Sequence, residues 1–319
     1  MLNHTRGAIG TAILAAAVAV AGCSSSGPAH SQAGGTAPST STASAAAFPV
    51  TVHDTNGAVT IASRPMAIVS LSPTATEMLF AIGAGSQVKA VDKDSDYPGG
   101  APRTKLDAYQ LNVEAVAAYQ PDLVVASNLT PAQTKELATL HIPTLLTPAA
   151  TDLAQAYQQI ALLGQATGHA PSAAAEVRTM KQQIATLVSG AHRPATYYYE
   201  LDQTYYSETS STFIGQVLKL LGLKSIADSA KGAAASGGYP QLSAEFILKA
   251  NPAYVFLADT KCCKQSQATV AKRPGWSSLA AVHDGRVVEL DDDIASRWGP
   301  RIVDLLRTVA DALKQHPAT

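Results

Sequence analysis

The chain has 319 residues, 46% of them hydrophobic and 15% charged, which supplies apolar material for one large core or two smaller ones and excludes a wholly disordered protein. Its 23 Lys and Arg against 24 Asp and Glu leave a net charge of −1, with no electrostatic footprint for a polyanion, so nucleic acid is not an expected partner. Three cysteines are too few for a disulfide-stapled scaffold.

At the N-terminus, Arg6 precedes an unbroken apolar run from Ala12 to Ala21, followed by Gly22 and Cys23. A run of about ten residues is too short to cross a hydrocarbon core, which needs roughly 20 as helix, so residues 1–22 are expected to be an export signal. Val20-Ala21-Gly22-Cys23 resembles the lipobox of bacterial lipoproteins. That resemblance implies cleavage before Cys23, lipid modification of its thiol, and anchoring to the outer face of the cytoplasmic membrane, in the cell envelope. Apart from Cys23 and His30, residues 23–47 are Ser, Thr, Ala, Gly, Pro and Gln with no Lys, Arg, Asp or Glu, a composition that reads as a flexible tether with a span of roughly 25–30 Å.

From Phe48 onward short β-branched runs alternate with helix-like segments, the pattern of an α/β protein with mainly parallel sheets. Strand candidates are Ala67–Leu71, Val88–Val91, Leu123–Ala126, Thr144–Leu146, Thr196–Leu201, Tyr254–Ala258 and Arg286–Leu290. After the first of these a helix opens, with Ser72 as its cap and Pro73 at the first helical position, or with Thr74 and Glu77 as a capping box. It stops near Gly83 and Gly85.

An internal repeat organises the rest. Residues 110–124 align without gaps to residues 241–255, pairing Gln110 with Gln241, Leu111 with Leu242, Glu114 with Glu245, Pro121 with Pro252 and Val124 with Val255. Each copy reads as a cap (Asn112, Ser243), an acid in the first helical turn, an apolar helix, a proline stop and a buried strand. Two similar α/β lobes in tandem are therefore expected, over 48–170 and 191–319. Between them, 171–190 opens with Pro171, places Val177, Met180, Ile184, Leu187 and Val188 at helical spacing, and ends at Gly190. About 20 residues at 1.5 Å rise make a rod of roughly 30 Å, long enough to bridge the lobes and stiff enough to keep any closure small.

The runs Ala67–Leu79, Ser95-Asp96-Tyr97-Pro98, Asn112-Val113-Glu114, Pro121–Val124, Leu242–Glu245 and Pro300-Arg301-Ile302 together resemble the extracytoplasmic substrate-binding proteins of ABC importers for cobalamin, ferric siderophores and haem. The resemblance implies two Rossmann-like lobes joined by a single long backbone helix, with the ligand in the cleft between them. It implies no chemistry of the chain's own, a monomer that delivers a metal chelate to a permease with its ATPase, and no bound cofactor beyond that cargo. It also implies that Glu114 and Glu245, one on each lobe, dock onto permease arginines, although each carboxylate equally complements a helix N-terminus. The aromatic residues that flank cobalamin in the best-known members are not matched, because Asp94, Ala108 and Ser127 stand in those places, with Tyr109 adjacent to one. Cobalamin, haem and a ferric siderophore are not separated by the sequence.

Ligands of such lobes sit outside the carboxyl ends of the strands. The loops there hold the candidate ligand-binding residues Tyr97, Tyr109, Asn128, Tyr205, Tyr206, Tyr239, Arg297 and Trp298. Tyrosine and tryptophan offer apolar faces with a polar tip, which suits a large flat ligand, and Arg297 could meet a carboxylate or an amide oxygen. The run Tyr197-Tyr198-Tyr199 reads as sheet packing. Cys262 and Cys263 are adjacent, with Cα atoms about 3.8 Å apart, so a vicinal disulfide would be strained; two free thiols, or metal ligation by the pair, stay open. The eight histidines are scattered without ligand spacing, which disfavours a bare zinc or manganese site. Asp291-Asp292-Asp293 reads as solvated acid at a strand end. No nucleophile elbow, His-Glu-x-x-His helix or phosphate-cradling glycine loop occurs, so no enzyme is expected. The alternative function class is a lipid-anchored ligand sensor or scaffold that reports to another membrane partner.

Overall fold

The computed structural model describes residues 48–318. The export signal, Cys23 and the tether lie outside the described residues.

The body opens with a hairpin, β1 (Val50–Asp54) and β2 (Gly57–Ile61), paired antiparallel with Asp54 opposite Gly57. Only Thr55 and Asn56 remain for the turn, and Gly57 takes φ +126°, a value that side-chain-bearing residues rarely adopt. The first lobe's sheet runs β5-β4-β3-β6-β7, all parallel, from β3 (Ile68–Leu71), β4 (Val88–Asp92), β5 (Arg103–Leu106), β6 (Leu123–Ala126) and β7 (Thr144–Leu146). Strands β3 and β6 are buried at every position, as continuous runs covered on both faces require. Helices α1 (Pro73–Ala81), α2 (Val113–Ala117) and α3 (Pro131–Thr139) follow β3, β5 and β6. Ser72 caps α1 by accepting from the amide of Ala75, with Pro73 in the first turn, so the cap-plus-proline reading holds and Glu77 is left for other work.

Helix α4 (Leu153–Thr167) ends at Gly168, in the left-handed region, and α5 (Ala170–Ala191) begins two residues later. The segment 171–190 lies wholly within α5. The two helices approach closely at Gly164, where an added Cβ would come within 2.4 Å of the Ala173 Cβ. The second lobe's sheet runs β11-β10-β8-β9, again parallel, from β8 (Ala195–Glu200), β9 (Leu223–Ser225), β10 (Tyr254–Leu257) and β11 (Val287–Glu289). Its helices are α6 (Phe213–Lys219), α7 (Ala244–Ala250), α8 (Gln267–Ala271), α9 (Ala280–His283), α10 (Asp292–Ala295) and α11 (Ile302–Gln315). Helices α4 and α11 both pack on α5, so one apolar core runs from Ile68 and Met78 through Ile160, Met180 and Ile184 to Tyr199 and Leu313. Separate smaller clusters cover the other face of each sheet.

Tyr197, Tyr198 and Tyr199 are all fully buried. Alternation sends the outer two into the shared core and Tyr198 into the second lobe's own cluster. The Tyr197 hydroxyl donates to Glu208 at 2.7 Å, and the Thr212 hydroxyl donates to the other oxygen of the same carboxylate. Burial nevertheless pushes the Glu208 carboxyl from 4.5 up to about 7. Between those values the folded chain holds a proton that the unfolded chain has released, so folding takes up a proton and stability falls as pH rises. The urea midpoint should therefore be higher at pH 5.5 than at pH 8, and Glu208→Gln should flatten that slope; an unchanged slope would remove Glu208 from the explanation.

Candidate ligand cleft

Strand order fixes where each lobe can bind. In the first lobe it reverses between β3 and β6, and in the second between β8 and β10, and ligands settle outside the carboxyl ends of strands at such points. The two carboxyl edges meet. Arg297, in the loop after α10, donates to the Asp94 carbonyl at 3.2 Å, to Asp96 at 3.2 Å and to Glu77 at 2.8 Å, all on the first lobe, and to its own neighbour Asp293 at 2.8 Å. Arg301 donates to Glu77 from Nε at 2.9 Å and lies 4.1 Å over the Tyr97 ring. Trp298 donates from its indole N–H to Gln159 of α4 at 2.8 Å.

At the first lobe's reversal point lies a cavity of about 190 Å³, lined by Leu71, Pro73, Ser127 and Asn128 at the ends of β3 and β6, with Asp92, Asp94, Ala108 and Tyr109 beside them. The three positions where the family's aromatic residues are missing, Asp94, Ala108 and Ser127, all border this space. Beneath it runs a buried polar chain: the Thr76 hydroxyl donates to Ser70 at 2.8 Å and lies 2.9 Å from Ser95, and Ser95 donates to Oδ1 of Asp92. Asp92 is 1% exposed, its Oδ2 has no partner among the described residues, and burial pushes its carboxyl up.

The second lobe's reversal point is filled by protein. Arg273 binds the fully buried Glu200 through two bonds of 2.6 Å and lies 4.6 Å over the Trp276 ring. Asp259, fully buried, finds no partner for either oxygen, and burial together with the charge of Glu200 drives its carboxyl upward. The loop above is tied to α10. Cys262 and Lys261 donate their amides to Asp292 at 2.8 and 2.9 Å, and the Lys261 ammonium meets Asp291 and Asp293 at 2.8 Å each. Each of these three aspartates therefore has a protein partner, which replaces the reading of them as merely solvated. Cys262 is joined to Cys263 as a vicinal disulfide in this loop. Among the described residues no group of three His, Cys, Asp or Glu side chains is placed to hold a metal ion.

Of the eight candidate ligand residues, only Tyr109, 88% exposed, and Asn128 share the first-lobe cavity. Tyr206 and Tyr239 are exposed on the second lobe, where Tyr206 bridges to Gln241. The other four lie elsewhere. Tyr97 lines a different cavity, of about 410 Å³, with Glu77, Gln183 and Arg301. Tyr205 stacks on Trp276 at 5.8 Å and belongs to the second lobe's packing. Arg297 is saturated by carboxylates and a carbonyl, so it is a lobe-to-lobe clasp and not a free ligand donor. Trp298 is packed against the shared core with its N–H taken. Asp92 went unread, Glu77 was read only as half of a capping box and Arg301 only within a family-like run; the available signal was a single acid inside the apolar helix α1 and two arginines four residues apart. Glu114 and Glu245 are both exposed, each in the first turn of its short helix behind the cap Asn112 or Ser243.

Comparison with known proteins settles the family. Residues 68–294 match the model of the periplasmic binding proteins. The chain belongs to that family. This periplasmic binding protein is 30% identical to an ABC transporter substrate-binding lipoprotein of Bacillus subtilis over 97% of both chains. It is 30% identical to a cobalamin-binding protein of Halobacterium salinarum, covering 84% of this chain and 75% of the relative. The periplasmic haem-binding protein of Roseiflexus shares the fold, with a TM-score of 0.63, 21% identity, and coverage of 79% of this chain and 99% of that one. The family and these relatives are binding proteins, so this member is a binding protein and not an enzyme. It is the substrate-binding component of an ABC transporter, made of two parallel α/β lobes and a long helix.

Proposed function

We propose that this periplasmic binding protein captures a metal chelate between its lobes, as a lipid-anchored monomer tethered through Cys23, and hands it to a permease that it contacts through Glu114 and Glu245. The observation that carries the reading is the convergence of two carboxyl-terminal sheet edges, clasped by Arg297 and Arg301 on Glu77, with an open cavity at the reversal point of one of them. A cobalamin-binding relative and a haem-binding protein of the same fold support a chelate as cargo. The sensor alternative has no support among the relatives.

Titration of the protein by tryptophan fluorescence against cyanocobalamin, haemin and several ferric siderophores tests the reading, because Trp298 sits at the lobe junction. Saturable quenching at sub-micromolar ligand is expected for one of them, with absorbance corrected for the coloured ligands. Silence across the panel, repeated by calorimetry, would overturn a chelate cargo.

A further inference from the structure

The charges around the cleft are unevenly spent. Several of the cations near it are already paired: Arg297 and Arg301 with Glu77, Arg273 with Glu200, Lys261 with Asp291 and Asp293, and Lys93 with Asp107 at 2.7 Å. Arg103, Lys105 and Lys264 have no ion pair among the described residues, and none of them borders the first-lobe cavity. That cavity has no cationic side chain in its wall, yet it has two carboxylates, Asp92 and Asp94. Oδ2 of Asp92 is buried without a partner, and no hydrogen bond or ion pair reaches the Asp94 side chain among the described residues. An acceptor enclosed and unpaired costs free energy until a donor reaches it.

Two helices begin at this wall, and helix N-termini ordinarily attract anions. Here their donors are largely consumed. Pro73 and Pro131 have no N–H, Ser72 takes the amide of Ala75, and a capping box pairs the Thr130 amide and hydroxyl with the Gln133 side chain and amide. The remaining polar wall, Tyr109, Ser127, Asn128 and Gln133, can donate or accept.

We propose that the first-lobe cavity receives a hydrogen-bond-donating, neutral or cationic arm of the cargo, such as a primary carboxamide or an ammonium, and that Asp92 and Asp94 set this preference against chelates with an anionic periphery. This deepens the chelate-receptor reading above and rests on it. The space is taken to suit an arm and not a whole chelate: at about 190 Å³ it is less than half the neighbouring cavity of about 410 Å³. The arm's donors meet Asp92 and Asp94, while the bulk of the chelate lies between the sheet edges. A carboxylate in the same place would face two acidic side chains, with no cationic side chain in the wall to bind it.

Calorimetric titration of the full chain tests this with four probes: cyanocobalamin, which is rimmed with carboxamides; ferrioxamine B, which carries an ammonium tail; haemin, with two carboxylates; and a ferric tris-catecholate trianion. Binding of cyanocobalamin or ferrioxamine B at least about tenfold tighter than either anionic chelate is expected, with about tenfold weakening in Asp92→Asn and in Asp94→Asn. Asp94 is exposed, so its variant does not depend on the fold tolerating a buried change. Tighter binding of an anionic chelate, or unchanged affinity in both variants, would overturn the proposal and leave the chelate-receptor reading standing. If none of the four binds, that reading fails separately, and amide NMR decides the preference. Methylguanidinium should then shift Asp92, Asp94 and Asn128 saturably where acetate does not, and no shift with methylguanidinium would overturn it.

Discussion

Replacing Glu77 by alanine is expected to destabilise the protein by about 3–5 kcal/mol, the usual cost of stranding buried charge. The carboxylate is 2% exposed and meets Arg297 and Arg301, themselves 11% and 14% exposed. Arg297 keeps Asp96 and Asp293 when Glu77 is gone, whereas Arg301 has no second ion pair among the described residues and keeps the Tyr97 ring. The loss should therefore fall mainly on Arg301, and a double-mutant cycle of Glu77→Ala with Arg301→Met should recover much of it, because removing both charges leaves none unpaired. Glu77→Gln keeps acceptor capacity and should cost less. Urea unfolding of the four proteins checks the set. A cost below about 1 kcal/mol for Glu77→Ala would mean that water already reaches the pair, as at an ordinary surface salt bridge.

The double variant Glu114→Ala with Glu245→Ala should leave ligand affinity unchanged and lower cellular uptake of the cargo by at least about tenfold. Each glutamate is exposed in the first turn of α2 or α7, and the Glu245 carboxyl is held below its usual value by its own backbone amide and the Ser243 hydroxyl. Helix-end stabilisation alone would be about 0.3–1 kcal/mol per site and would not touch transport. Charge pairs across a receptor–permease interface act on encounter rate and register, so loss at both lobes should be worse than at either alone. Normal uptake by the double variant, with permease and ATPase present, would reduce both residues to the helix-end role.

Local pattern carried the fold a long way. Proline stops, caps and β-branched runs marked the strands from β3 to β11 with two omissions, and the repeat at Glu114 and Glu245 gave the two lobes. The omissions have local causes: β9 spans three residues and β5 carries exposed polar ones. The hairpin β1–β2 went unread, although Asn56-Gly57 between alternating segments was its available signal. The site was less legible. Arg297 and Trp298 stand where ligand residues would stand, but their partners, Glu77 and Gln159, lie 220 and 139 residues away, and no spacing rule reaches that far. Asp92 lies one residue past the expected strand Val88–Val91, and only its enclosure without a partner makes it noteworthy.

Helix α5, packed against both α4 and α11, is expected to keep the separation of Glu114 and Glu245 nearly constant whether or not the cleft is filled. A permease that measures this separation cannot tell a laden receptor from an empty one by reach alone. Empty copies would then queue for the same landing place as laden ones, and raising the amount of receptor above the supply of cargo would slow import.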